Sequence, residues 1–180
     1  MVKINRVYTG GGDGGESSLV DGSRRSKADQ RFQVVGACDE VNSLVGTILA
    51  EVNRLPDHED GGERTNVQRV QTVLNEALVR LQNELFDLGA ELACPPENLP
   101  DYMVLISQGQ TDVLMEEMDA WLASLSPLTS FILPAGSPPV ANMHVARTVV
   151  RRLERELVSL IEKEGEDAVR PLVLVYVNRL

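Results

Sequence analysis

Between Asn66 and Ala93 apolar residues fall at Val67, Val70, Leu74, Ala77 or Leu78, Leu81, Leu85, Leu88 and Leu92, in steps of three and four. That spacing puts them on one stripe of a helix, whereas a strand would need a period of two. A stripe this long has to be covered, so the fold must supply other helices with matching faces. The chain does so. One amphipathic segment runs from Phe32 to about Arg54 (Val34, Ala37, Val41, Leu44, Ile48, Val52). A shorter one runs from about Gln110 to Ser124, with Leu114, Met118, Trp121, Leu122 and the following Leu125 facing inward. A fourth spans about Val140 to Glu164, with Met143, Ala146, Val150, Leu153, Leu157 and Ile161 as its seam and Gly165 as its stop. "CPPENLPD" ends the 66–93 helix, because proline cannot continue the hydrogen-bond ladder. The tail "RPLVLVYVNRL" reads either as a strand, from its β-branched content, or as a buried helix cut short at the chain end.

The expected fold is all-α, an up-and-down helical bundle in one domain spanning residues 1–180. Residues 1–31 are Gly- and Ser-rich and read as a loop region. "LPDHEDGGERTN" (55–66) reads as a mobile acidic loop; its Asp57, Glu59 and Asp60 lack the spacing of a calcium loop. "SPLTSFILPAGSPP" is a connection whose Phe131-Ile132-Leu133 is too apolar for free solvent. Aromatic residues make up only 4% of the chain, which favours packed helices over a β-sandwich.

A net charge of −10 excludes general nucleic-acid binding. The cations are nonetheless clustered: Arg24, Arg25, Lys27 and Arg31 in one window, Arg147, Arg151, Arg152 and Arg155 in another. Two such spots suit a small polyanion. Cys38 and Cys94 form no disulfide framework, no apolar run is long enough to span a membrane, and "MVKINRVYTG" lacks the apolar region of a signal peptide. A cytosolic location is expected.

"GGGDGG" (Gly10–Gly15) literally contains GxGxxG, but no βαβ pattern surrounds it and no Lys-Ser/Thr follows for a Walker loop. Two readings stay open. It is a flexible loop, or a phosphate cradle in which glycine lets successive N–H groups face one anion, with Thr9, Ser17 and Ser18 adding hydroxyls. On the fourth helix, Arg147, Arg151 and Glu154 share one stripe at i, i+4 and i+7, beside Arg155. The stripe is either a solvated face with weak ion pairs or an anion site, since Arg147 and Arg151 are like charges one turn apart. Asp39-Glu40 is either a pair of helix-start carboxylates or the partner of one of those arginines.

Four patterns, in this order, resemble the PduO-type ATP:cob(I)alamin adenosyltransferases: "YTGGGDGGESSL…RRSK", "GACDEVNS", "FILPAGS…HVARTVVRRLER" and "YVNRL". The resemblance covers nearly the whole chain. It implies a five-helix, ferritin-like bundle with a flexible Gly-rich ATP loop, assembled as a homotrimer with active sites between subunits. It implies transfer of the 5′-deoxyadenosyl group of ATP, accompanied by Mg²⁺, to the cobalt of reduced cobalamin, releasing triphosphate. A cob(II)alamin reductase and an adenosylcobalamin-dependent mutase are the implied partners. By the same resemblance, Thr9, Gly10, Gly11, Gly12, Ser17, Ser18 and Lys27 hold the triphosphate. Arg151, Glu154 and Arg155 complete the ATP site, with Lys27, Arg151 and Glu154 as its catalytic members, and Asn178 touches the nucleoside. Asp39 and Arg147 form a salt bridge shaping the site, and Phe131 lies on the lower face of the corrin. Three features depart from the family pattern. Gly11 stands where a hydroxyl or amide is usual, Ala135 replaces a usual glycine, and the family continues beyond "NRL", so the last helix is expected to be cut short at residue 180. The alternative expectation is a non-catalytic ATP- or corrinoid-binding bundle acting as carrier or sensor.

Overall fold

A computed structural model describes residues 8–55 and 64–180. The expectations for Asp57, Glu59 and Asp60 fall outside these residues; of the loop expected at 55–66, residues 64–66 are already helical. Five helices carry the fold: α1 (Gln30–Asn53), α2 (Arg64–Leu92), α3 (Gln108–Leu122), α4 (Pro138–Glu164) and α5 (Pro171–Arg179). Ahead of them stand two three-residue strands, β1 (Glu16–Ser18) and β2 (Arg24–Ser26), paired antiparallel with Ser17 opposite Arg25.

The helices begin and end where local chemistry dictates. Asp29 caps α1 by accepting a hydrogen bond from the Arg31 backbone N–H at 2.8 Å. Gln110 reaches back to the Ser107 N–H at 2.7 Å at the start of α3. Prolines at the first positions of α4 and α5 cost nothing, because those N–H groups have no helical partner. Gly165 ends α4 at φ 102°, a conformation that favours glycine.

Helix α1 is central and packs against both α2 and α4. Its Val34, Val41 and Val52 are buried among Leu85, Leu88 and Leu92 of α2, Leu153, Leu157 and Leu160 of α4, and Val173, Tyr176 and Val177 of α5. The tail is thus the helix, not the strand, of the two sequence readings.

Three sequence expectations are corrected. The N-terminal segment is not loop throughout: Asp21-Gly22 closes a hairpin, with Gly22 at φ 83°, the Leu19 N–H on the Ser23 carbonyl at 2.9 Å, and Asp21 accepting from the Ser23 N–H at 3.0 Å and hydroxyl at 2.6 Å. The α2 seam is buried only toward its C-terminal half; Val70 is 48% exposed. On α3 only Leu114 of the expected inward set is buried, while Trp121, Leu122 and Leu125 are exposed, as is the whole Phe131-Ile132-Leu133 run. Among the described residues nothing covers these side chains. Met118 and Trp121 instead line an apolar cavity of about 510 Å³ whose wall also includes Val45, Leu74, Met143, Arg147 and Leu180.

Candidate functional site

Gly10, Gly11 and Gly12 form a turn in which the Asp13 N–H bonds the Gly10 carbonyl and the Gly15 N–H bonds the Gly12 carbonyl, each at 3.2 Å. Gly10 and Gly15 sit at φ 71° and 82°, which side chains avoid. The Lys27 ammonium lies over this turn: a Cβ on Gly12 would stand 2.9 Å from its Nζ. The Lys27 backbone N–H bonds the Gly15 carbonyl at 2.8 Å, so the lysine is tied to the turn by backbone as well. A lysine over a glycine turn is a donor set for phosphate oxygens. Thr9 is exposed beside it, its hydroxyl 3.6 Å from where a Cβ on Gly11 would stand; Ser18 is exposed on β1 opposite Arg24, while Ser17 and Arg25 share the half-buried face of the hairpin.

The first cationic window proves to be mostly structural. Arg31 is 1% exposed, and its guanidinium bonds the Glu164 carboxylate at 2.5 Å and the Leu92 and Ala168 carbonyls. Arg25 bonds the other Glu164 oxygen at 2.5 Å. Burial opposes the Arg25 charge, but the Glu164 hydrogen bond and negative charge outweigh it and raise its pKa. Arg24 bonds the Gly11 carbonyl at 2.8 Å. Among the described residues Lys27 alone of this window has no ion pair.

On α4, Arg147, Arg151 and Arg155 are exposed and unpaired among the described residues. Arg152 pairs with Glu40 of α1. Of the two α1 carboxylates, then, Glu40 meets an arginine in the same chain, whereas Asp39 and Arg147 do not pair. Asp39 borders a groove with Phe86 between α1 and α2, and Arg147 lines the apolar cavity. Glu154 accepts a hydrogen bond from Asn178 Nδ2 at 2.6 Å, joining two predicted nucleotide residues across α4 and α5. Phe131 is fully exposed on the α3–α4 connection. The hairpin is anchored to Glu164, about 20 Å of helix rise from Arg151, and no hydrogen bond or ion pair among the described residues joins them.

Sequence reasoning missed Glu164 and the hairpin that it holds. The Asp-Gly turn at 21–22 was the available signal for the hairpin; Glu164 gave none, being one acid among many on an exposed helix end. No cluster of three or more His, Cys, Asp or Glu suited to a metal occurs among the described residues, and none of their helices is long and apolar enough to cross a membrane.

Residues 7–180 match the sequence family described as Cobalamin adenosyltransferase. A corrinoid adenosyltransferase from Mycobacterium tuberculosis (strain ATCC 25618 / H37Rv) is 39% identical over 180 residues, covering 99% of this chain and 84% of the relative. One from Bacillus subtilis (strain 168) is 37% identical over 175 residues, covering 97% of this chain and 80% of the relative. Among solved structures, a phenylalanine-to-histidine variant of a PduO-type ATP:corrinoid adenosyltransferase from Lactobacillus reuteri, complexed with cobalamin and ATP, aligns with a TM-score of 0.80 at 29% identity, over 97% of this chain and 84% of that one. With the family pattern matched nearly end to end and the five-helix fold shared, the chain belongs to the cobalamin adenosyltransferase family.

Proposed function

We propose that this chain transfers the 5′-deoxyadenosyl group of ATP to the cobalt of reduced cobalamin, releasing triphosphate. The observation that carries the reading is the Lys27 ammonium held over the Gly10–Gly12 turn on an anchored hairpin, in a chain of this family. Cobalt(I) brings its own electron pair to C5′, the C5′–O bond breaks, and the triphosphate leaves with the bonding pair. No protein base is needed. The protein has to align C5′ with cobalt and stabilise charge growing on the leaving group. Lys27 and the free turn amides serve the triphosphate, with Thr9, Ser17 and Ser18 at hand. Arg151 and Arg155 add positive charge, and the Asn178–Glu154 pair offers polar contacts to the nucleoside. The cationic, amide-rich turn suits phosphate oxygens rather than a bare dication, so Mg²⁺ would arrive on ATP and offset phosphate charge there.

The active assembly in this reading is a homotrimer with sites between subunits. Three features support it: among the described residues no hydrogen bond or ion pair joins the hairpin to Arg151, Asp39 and Arg147 do not pair, and Phe131, Leu128 and Leu125 are exposed together. A partner subunit would bring Asp39 to Arg147. Phe131, apolar and projecting, would exclude a lower axial ligand from cobalt and ease its reduction. A reductase supplying cobalt(I) and a mutase consuming adenosylcobalamin are the fitting partners, and a reducing cytosol suits the two free thiols, Cys38 and Cys94.

Anaerobic incubation with ATP and chemically reduced cobalamin tests the reading. Loss of the cobalt(I) spectrum with equimolar triphosphate is expected. Tight ATP binding without triphosphate would identify a carrier or sensor instead.

A further inference from the structure

Glu164 is the last residue of α4, where the helix's own carbonyl groups concentrate negative charge. Helix physics disfavours a carboxylate there, and the α4 terminus is already closed by the Gly165 N–H on the Ile161 carbonyl at 2.9 Å. Its two oxygens are divided between two arginines, Oε2 to Arg31 and Oε1 to Arg25, each at 2.5 Å. Arg31 is a fixed post: it is buried and also bonded to the Leu92 carbonyl at 3.3 Å and the Ala168 carbonyl at 3.1 Å. Glu164 is therefore held from the core side and presents one oxygen outward to the hairpin.

Arg25, on β2 opposite Ser17 and two residues before Lys27, donates to that oxygen. The hairpin has a second anchor at its tip, where Leu19 is buried and the Val20 N–H bonds the Ala93 carbonyl at 2.9 Å. The tip, where Asn98 also donates to Asp21 at 2.8 Å, and the root at Asp29, 3.6 Å from Arg25, hold the ends of the ribbon; the Arg25–Glu164 link between them sets its angle on the bundle, and with it the position of the Gly10–Gly12 turn under Lys27. We propose that Glu164, acting through Arg25, is the positioning residue that fixes the nucleotide hairpin on the bundle. The inference rests on the reading that this hairpin holds the triphosphate of ATP.

The test uses the full chain with Arg25→Met, Arg25→Lys, Glu164→Gln, the Arg25→Met/Glu164→Gln double variant and Lys27→Ala. Steady-state constants for MgATP and corrinoid are measured separately, with amide hydrogen exchange at Lys27. Arg25→Met should raise KM for ATP about tenfold, the scale of one lost charge-assisted bond, and speed exchange of the Lys27 amide. KM for corrinoid and the melting temperature should stay near the parent's, because Arg31 keeps its Glu164 partner. Arg25→Lys should recover part of the loss. The double variant should be no worse than the poorer single one, as for residues sharing one link. Two results overturn the inference: unchanged KM for ATP in Arg25→Met while Lys27→Ala raises it, or additive losses in the double variant. If Lys27→Ala itself leaves KM for ATP unchanged, the nucleotide reading of the hairpin fails and this inference with it.

Discussion

Removing one hydroxyl from the core tests how α5 is held. Tyr176 is 0% exposed, and its hydroxyl donates to Glu84 Oε2 at 2.7 Å. Glu84 is 6% exposed; its other oxygen accepts from Arg80 at 2.9 Å, and Arg80 continues to Glu117 of α3 at 2.5 Å. Burial raises the phenol's pKa, and the Glu84 hydrogen bond and charge raise it further, so Tyr176 stays a neutral donor. Tyr176→Phe keeps the ring, opens almost no cavity, and leaves one buried carboxylate oxygen without that donor. A hydrogen bond to a charged group contributes about 1.5–3 kcal/mol, so a loss of about 2 kcal/mol is expected. For a chain of this size that is a fall in melting temperature of about 4–8 °C. Urea unfolding at one fixed protein concentration reads it as a lower midpoint with unchanged slope, since the stability of the proposed trimer would depend on concentration. A loss below about 0.5 kcal/mol would refute the reasoning, showing that the buried hydroxyl–carboxylate contact makes no net contribution. Because Asn178 lies two residues further along α5 and bonds Glu154, weaker ATP binding should accompany the destabilisation.

Lys27→Ala and Arg151→Ala should each lower turnover by roughly a hundredfold with the helical fold intact, since neither side chain is in the core. If the chain forms the proposed homotrimer, assemblies of equal amounts of the two variants should recover about a quarter of parent activity when the two cations reach one ATP from different subunits, and none when they act within one chain. Phe131→Ala should leave the melting temperature unchanged and spare activity with chemically reduced cobalt(I), but lower it by at least about tenfold with cobalt(II) and a mild reductant; full activity there counts against the lower-face role. Burial, and then the Asp39 charge, push the Cys38 thiol up to about 12 from 9.0. Its folded pKa lies above the unfolded one, so this stability is complete below pH 9 and is lost as pH rises toward 12. Between pH 8 and 10.5 the parent should lose about 2 kcal/mol more than Cys38→Ala, measured by urea midpoints. Parallel pH curves would show that the thiol is not so buried in solution.

The helices were legible because each carries its own apolar stripe, and a stripe of Leu85, Leu88 and Leu92 needs no distant information to be read. The same periodicity marks Trp121, Leu122 and Leu125 as an apolar face without saying what covers it, and in one chain they stay exposed. The arginine windows show the limit more sharply. Arg25, Lys27 and Arg31 look alike in sequence, yet the carboxylate that claims two of them lies 139 and 133 residues away. Only the fold shows that Arg31 is a buried post, Arg25 a link and Lys27 the one of the three with no ion pair among the described residues. The short hairpin was signalled by Asp21-Gly22, but three-residue strands offer too little alternation to stand out among glycines and serines.

The unpaired charges and the uncovered apolar residues have one economical explanation. A free chain gains nothing by displaying Arg147 and Arg151 one turn apart, Asp39 without a cation among the described residues, and Phe131 with Leu128 and Leu125 in water. Each is costly alone and each has a natural complement in another of the set. An arginine stripe needs an anion, a carboxylate needs an arginine, and an apolar connection needs an apolar surface such as the wall of the 510 Å³ cavity or a flat ring. Where Glu164 had two arginines close enough in the same chain, the fold paired them; Arg147, Arg151 and Asp39, which have no ion pair among the described residues, are among those that the family resemblance places at the nucleotide or the interface. In the trimer proposed above, a second chain and the two substrates would satisfy Arg147, Arg151, Asp39 and Phe131 together, so assembly and catalysis should fail together when this surface is altered.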